Sequence, residues 1–246
     1  MVVSMLRVKR VSKSFGGLCA VRNVDMTLHE GEILGLVGPN GAGKTTLLNL
    51  ISGVYRPDSG GIFFRDENIT RLPLDAICKR GIAKTFQHPR SFPGLTAKEG
   101  VMISALYGNG HKPSMKQAAE EAVDCLHRVG FPEDKIDSPL GNLNTIELRK
   151  TQLARALASR PQMLLLDELM TGLTPGEGKE AIRLIRSMQD EGLTILMIEH
   201  VMRIIMEVSD RVVVLDQGEK IAEGTPREIA ADGRVIESYL GEQYHF

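Results

Sequence analysis

The run Gly38-Pro39-Asn40-Gly41-Ala42-Gly43-Lys44-Thr45 constrains this chain more than any other, because it spells G-x-x-x-x-G-K-[ST] between two apolar segments of different character. Ile33-Leu34-Gly35-Leu36-Val37 ahead of it reads as a buried strand. Thr45-Thr46-Leu47-Leu48-Asn49-Leu50-Ile51 behind it winds as a helix until Ser52-Gly53 stops it. A strand, a glycine-rich turn and a helix start are the setting in which backbone N–H groups close around phosphate oxygens. In such a cradle Lys44 reaches the outer phosphates and the Thr45 hydroxyl suits Mg²⁺.

A second pair of chemically active residues lies far along the chain. The apolar run Met163-Leu164-Leu165-Leu166 ends in Asp167-Glu168, and the C-terminal edge of a buried strand is where α/β proteins handle ligands. Asp167 suits Mg²⁺, which keeps much of its water and needs few protein carboxylates. Glu168, one residue on, is a base for a water that attacks the terminal phosphate. Two solvated acids at a loop start would look the same in isolation; the phosphate cradle in the same chain tips the reading toward chemistry.

The remainder is an α/β pattern. Alternation over residues 5–30, broken at Ser14-Phe15-Gly16-Gly17, predicts antiparallel strands, and Gly60-Gly61-Ile62-Phe63-Phe64 a further one. Ser114 to Val129 repeats apolar residues at helical spacing, with Ser114 and Gln117 as a capping box and Gly130 as the stop. Met163–Leu166, Thr194–Ile198 and Arg211–Leu215 are short apolar runs separated by helix-length segments, which predicts parallel core strands. Asp216-Gln217-Gly218 reads as a hairpin turn without chemistry, and Tyr107 to Pro113 as a loop.

Size and charge narrow the class. A chain of 246 residues, 42% hydrophobic, buries a large core, and a net charge of −1 leaves no global basic footprint for nucleic acid. Apolar runs fall short of a membrane span, and Arg7, Lys9, Arg10 and Lys13 interrupt the N-terminal stretch. Cys19, Cys78 and Cys125 are widely spaced and odd in number, so they read as reduced thiols.

Taken in order, these pieces resemble an ATP-binding-cassette (ABC) ATPase, and within it the branched-chain amino acid importer subgroup. The matching stretches are Ser14-Phe15-Gly16-Gly17-Leu18, the cradle with Thr46, Gly81-Ile82-Ala83-Lys84-Thr85-Phe86-Gln87, Leu164 to Glu168, Glu199-His200 and Tyr239-Leu240-Gly241-Glu242. The resemblance implies one cassette over residues 1–246. Its P-loop NTPase, RecA-like α/β core with an antiparallel β subdomain would span about 1–88 and 162–246, around an α-helical subdomain at 89–161. It implies that Phe15 stacks on adenine, that Gly38 to Thr46 hold the phosphates, and that Gln87 senses both Mg²⁺ and the attacking water. His200 would bond the γ-phosphate. By residue chemistry alone, Phe15 can also pack under a strand, Gln87 can sit at the surface, and His200 reads better as the cap of a strand; their joint order along the chain is what makes Gln87 and His200 site residues. ATP and Mg²⁺ are the implied ligands. Transmembrane permease subunits, a second ATPase subunit and, indirectly, a substrate-binding protein are the implied partners, at the cytoplasmic face of the membrane and without nucleic acid. An exporter motor of the lipopolysaccharide type and a non-transport ATPase switch are the alternatives. Contact with the permease is expected near Gln87 to Leu95.

The chain departs from the family at one place. Where the family signature is usually Leu-Ser-Gly-Gly-Gln, it reads Leu143-Asn144-Thr145-Ile146-Glu147. Asn144 and Glu147 still form a capping box, so a helix start is expected, with Asn144 facing a nucleotide on a second cassette. Ile146 replaces a glycine and Glu147 adds a carboxylate, which predicts weaker anion binding there. Leu169 stands where the family usually has proline, a change expected to alter loop stiffness more than chemistry.

Overall fold

The computed structural model describes residues 3–86, 94–108, 110, 112–170, 174–199 and 201–240. The chain divides into two compact units, Met1–Leu74 with Met170–Phe246, and Asp75–Leu169.

The first unit opens with β1 (Ser4–Phe15), β2 (Leu18–His29), β3 (Ile33–Val37), α1 (Lys44–Ile51), β4 (Ser59–Phe64) and β5 (Glu67–Asn68). An antiparallel sheet runs in the order β2-β1-β4-β5. Its alternation is not continuous. Leu6, Val8 and Val11 are buried on β1, and Val21, Val24, Met26 and Leu28 on β2. A strict period of two would carry Val11 and Val21 to the other face. Left-handed residues Arg10 (φ 45°) and Asn23 (φ 46°), at register shifts in the β1–β2 pairing, insert the extra residue that returns them to the core.

The second unit follows. Beyond α2 (Leu74–Cys78), which spans the division, it contains β6 (Ile82–Lys84), α3 (Ala97–Tyr107), α4 (Met115–Arg128), α5 (Thr145–Ala158) and β7 (Met163–Asp167). Helices α3, α4 and α5 pack on one another. Each begins at a reciprocal capping box: Thr96 with Glu99, Ser114 with Gln117, and Asn144 with Glu147. Val101 and Ala105, Ala118, Ala122 and Leu126, and Leu153 and Leu157 form their buried faces. Strand β6 pairs in parallel with β7, Ile82 opposite Met163 and Lys84 opposite Leu165. The Gly81 to Phe86 stretch, read from sequence only as a motif, therefore includes a short strand.

The first unit resumes with α6 (Pro175–Asp190), β8 (Thr194–Ile198), α7 (Met202–Val208), β9 (Arg211–Asp216), β10 (Glu219–Gly224), α8 (Pro226–Ala231) and α9 (Gly233–Leu240). Here β3 lies between β8 and β9 and parallel to both, while β10 pairs antiparallel with β9. Strands β3 and β8 are buried at every position, which is why they read as unbroken apolar runs instead of alternating ones. The predicted hairpin is present, with Gln217 (φ 45°) and Gly218 (φ 84°) turning β9 into β10.

Candidate functional site

In the first unit, Val37 hands the chain to a loop whose glycines are required by space as well as by φ. Gly38 sits at φ 147°, and a Cβ there would lie 2.0 Å from the Leu215 carbonyl oxygen. At Gly43 (φ 97°) a Cβ would lie 2.3 Å from the Ala20 carbonyl oxygen. Side chains at either position are excluded by backbone, and real Cβ atoms do not approach that closely. Gly41 (φ 77°) is different, since a Cβ there meets nothing within 4 Å.

The loop is braced from the hairpin. The Gly218 N–H donates to the Ala42 carbonyl at 3.1 Å, and the Arg22 N–H donates to the Gly218 carbonyl at 2.8 Å. The Asp216-Gln217-Gly218 turn, expected to be only a connector, thus fixes the loop.

Helix α1 begins at Lys44 with Gly43 as its N-cap, so no side-chain oxygen caps its first turn, which carries no acid. A helix start without its own capping oxygen, with its dipole pointed at the loop, fits phosphate. The Lys44 ammonium is buried and donates to the carbonyl oxygens of Gly38 and Pro39, each at 2.7 Å. It is bent back over the loop that would wrap the phosphates. Thr45 and Thr46 follow on the same first turn, half-buried, while Asn40 is exposed and Pro39 and Ala42 are buried. Phe15, at the end of β1, is 42% exposed and so is not packed under a strand.

In the second unit, β7 delivers Asp167 and Glu168 to its C-terminal end, both buried. The Thr85 hydroxyl oxygen accepts the Asp167 N–H at 3.1 Å, and the Thr85 N–H donates to the Leu165 carbonyl at 2.9 Å. Lys84, whose side chain is buried, places Nζ 3.4 Å from Asp167 Oδ2 and 5.3 Å from the centroid of the Phe86 ring. Burial pushes the Lys84 ammonium below its ordinary pKa, and Asp167 opposes that shift. Glu168 takes a left-handed φ of 52°, unusual for a side chain this long and a form of strain found where a site requires it.

The start of α5 is self-contained. The Asn144 side-chain oxygen accepts the Glu147 N–H at 2.9 Å, and Glu147 Oε2 accepts the Asn144 N–H at 3.0 Å. The other Glu147 oxygen takes a hydrogen bond from Lys135 Nζ at 2.6 Å. The carboxylate expected to repel an anion here is therefore turned into a cap and paired with an ammonium. Charge alone no longer argues against an approaching phosphate; the Ile146 side chain, half-buried in the first turn, still does.

Gln87 and His200 lie outside the described residues, as do residues 88–93 of the expected permease contact and the tail from Gly241. Glu199, next to His200, is buried, and its Oε1 accepts the Met170 N–H at 2.8 Å. Sequence reasoning missed Thr85 as the residue that holds Asp167, and Lys135 as the partner of Glu147. Thr85 stood inside a quoted motif, whereas Lys135 has no local signal because its partner is twelve residues on.

A family profile described as ABC transporter matches residues 21–171, which covers the cradle, Asp167 and Glu168. The chain belongs to the ABC transporter ATP-binding proteins. Among its relatives, this ABC ATPase is 39% identical over 251 residues to the high-affinity branched-chain amino acid transport ATP-binding protein LivG of Escherichia coli K12. That alignment covers 97% of this chain and 98% of LivG. BraF of Pseudomonas aeruginosa, of the same description, is 36% identical over the same shares. The lipopolysaccharide export system ATP-binding protein LptB of E. coli K12 is 35% identical over 98% of this chain and 99% of LptB.

A second profile, described as branched-chain amino acid ATP-binding cassette transporter, matches residues 219–245. The fold of this ABC ATPase superposes on a nucleotide-free ATP-binding cassette with a TM-score of 0.87, at 27% identity, covering 96% of this chain and 99% of that one. Against the dimeric, post-hydrolysis cassette MJ0796 bound to ADP and Pi, the TM-score is 0.84 at 26% identity, covering 91% and 99%. The core is thus the P-loop NTPase α/β fold with an antiparallel sheet and a helical subdomain, and the activity is ATP hydrolysis. Among the described residues, no helix is long and apolar enough to cross a membrane.

Proposed function

We propose that this ABC ATPase powers import of branched-chain amino acids. Two features support this reading: the likeness to LivG runs nearly end to end, and the C-terminal residues 219–245 match the profile of that transporter group in particular. Residues 1–88 and 162–246 serve as the nucleotide-handling core and 89–161 as the helical subdomain. The chain works at the cytoplasmic face of the membrane with permease subunits and a second cassette, and a substrate-binding protein delivers cargo to the permease.

In the hydrolytic step a water oxygen forms a bond to the γ-phosphorus while the bond from that phosphorus to the β,γ-bridging oxygen breaks. The backbone N–H groups of residues 38–46, among which Pro39 has none to give, and the Lys44 ammonium bind the phosphates and offset the charge that spreads over the transferring group. Glu168 orients the water and accepts its proton; Gln87 and His200 hold the water and the γ-phosphate. Phe15 stacks on adenine, and the start of α5 at Asn144 meets the nucleotide of the second cassette.

The donor set fits Mg²⁺. Thr45 offers a hydroxyl, Asp167 a carboxylate and Gln87 an amide, all hard oxygens. Among the described residues no group of three His, Cys, Asp or Glu could hold a metal alone, so most of the ion's ligands would come from the nucleotide and water. When bound, the ion supplies positive charge to the phosphate oxygens.

Uptake tests the reading. Cells lacking this chain should lose high-affinity uptake of radiolabelled leucine, and the wild-type gene but not Lys44→Ala should restore it. Unchanged leucine uptake, with a defect at the outer surface of the envelope instead, would favour the exporter reading that the likeness to LptB raises.

A further inference from the structure

Phe15 is not held by its own strand alone. Its ring centroid lies 5.1 Å from that of Tyr55, with the planes at 69°, an edge-to-face pair. Lys13 Nζ stands over the Phe15 ring, 5.4 Å from its centroid. That ammonium is tied in turn, because Asp58 Oδ1 accepts a hydrogen bond from Lys13 Nζ at 2.7 Å while Asp58 Oδ2 accepts the Ser14 N–H at 2.7 Å. The Asp58 N–H donates to the Ser12 carbonyl at 2.9 Å, and the Tyr55 N–H donates to the Asn49 carbonyl of α1 at 3.1 Å.

These contacts join two segments, the end of β1 and the connection from α1 to β4, around one exposed aromatic ring. Phe15 (42%) and Tyr55 (38%) both keep part of their surface open to solvent. Aromatic pairs and cation–π contacts restrict ring orientation more than area burial does. A ring held in place before the ligand arrives spares the ligand the cost of ordering it. The connection that carries Tyr55 is anchored to α1, the helix whose first turn bears Lys44 and Thr45, so ring and phosphate cradle share one scaffold.

We propose that Lys13, Tyr55 and Asp58 are positioning residues that fix the Phe15 ring for the nucleotide base. Lys13 occupies one face of the ring, Tyr55 sets its tilt, and the base stacks on the face opposite Lys13. The inference rests on the reading that Phe15 stacks on adenine. It adds that the base-dependent share of affinity is set by three residues outside the phosphate loop.

The test separates base from phosphate. Calorimetric affinities of the full chain for Mg²⁺·ATP and for Mg²⁺·tripolyphosphate, which lacks base and ribose, give a ratio in which phosphate binding cancels. Phe15→Ala should lower that ratio about tenfold, as loss of one stacked base does. Tyr55→Leu and Asp58→Asn should each lower it about threefold to fivefold with tripolyphosphate affinity unchanged, and Lys13→Arg should keep most of it. A reduced ratio in Phe15→Ala with wild-type ratios in Tyr55→Leu and Asp58→Asn would overturn the positioning role alone. Equal losses for both ligands in those two variants would overturn it as well, since that is general damage. A wild-type ratio in Phe15→Ala would overturn the stacking reading itself.

Discussion

Lys135 Nζ sits 2.6 Å from Glu147 Oε1, so the residue that replaces the neutral amide of the family signature carries its own counter-ion. Its other oxygen caps the Asn144 N–H, so Asn144 and Glu147 keep a capping box where the usual signature has Ser and Gln.

The first consequence is an acid-sensitive helix start. Lys135 foremost, and then the Asn144 N–H, hold the Glu147 carboxyl below its ordinary value of 4.5. A carboxylate held low stabilises the fold above its unfolded pKa, and that contribution fades as pH falls through the folded one. Wild type should therefore melt above Glu147→Gln at pH 7, and the difference should shrink as pH drops below about 4.5. Melting curves of the two proteins at pH 7 and pH 4 check this; a gap that holds constant would mean that the Lys135–Glu147 pair does not stabilise the fold.

The second concerns closure onto another cassette. With the Glu147 charge neutralised, the obstacle left to an approaching phosphate is the Ile146 side chain. Ile146→Gly should strengthen ATP-dependent association, read by light scattering, more than Glu147→Gln does. Asn144→Ala, which removes the cap, should cost about 1 kcal/mol of stability and weaken association. The reverse order for Ile146 and Glu147 would restore charge as the dominant obstacle.

The third contrasts two glycines of one loop. Gly38→Ala drives a Cβ to 2.0 Å from the Leu215 carbonyl, so it should abolish ATP binding and destabilise by several kcal/mol, at or beyond about 4. Gly41→Ala meets no neighbour and carries only the left-handed penalty of about 1–2 kcal/mol. Denaturant titrations with matched ATP-binding assays check the contrast, which fails if the two variants behave alike.

The fourth concerns Lys44. Its ammonium already bonds the Gly38 and Pro39 carbonyls, so Lys44→Ala removes a loop brace as well as a phosphate ligand. Hydrolysis should fall by about 10²–10³. The melting temperature should fall too, which separates this lysine from one that meets only the nucleotide. Phosphate release and thermal melts measure the two effects.

Much of this molecule was legible in its residues because the informative patterns are local. The cradle, the capping boxes at Ser114 and Asn144 and the buried runs β3, β7, β8 and β9 follow from spacing within one turn or one strand. The bulges at Arg10 and Asn23 did not, because they appear only when two strands are paired and parity must be kept on a common face. Strand β6 was too short to show a period, and β10, with its charged exposed positions, lacks an apolar run. Among the candidate site residues, Lys44 and Asp167 stand in motifs that a single segment carries. The brace from Gly218 to Ala42 and the pairs Lys135–Glu147 and Lys13–Asp58 were not legible, since each joins residues that only the fold brings together.

Glu168→Gln tests whether the carboxylate after Asp167 is the base of the hydrolytic step. Glu168 is buried at the end of β7 at a left-handed φ, the position proposed for the base that serves the attacking water. Single-turnover release of γ-phosphate, measured beside ATP affinity, decides it. If Glu168 is that base, the variant binds ATP as wild type does or tighter, and phosphate release slows by about 10² or more. Release within a few-fold of wild type, with ATP binding intact, would contradict it.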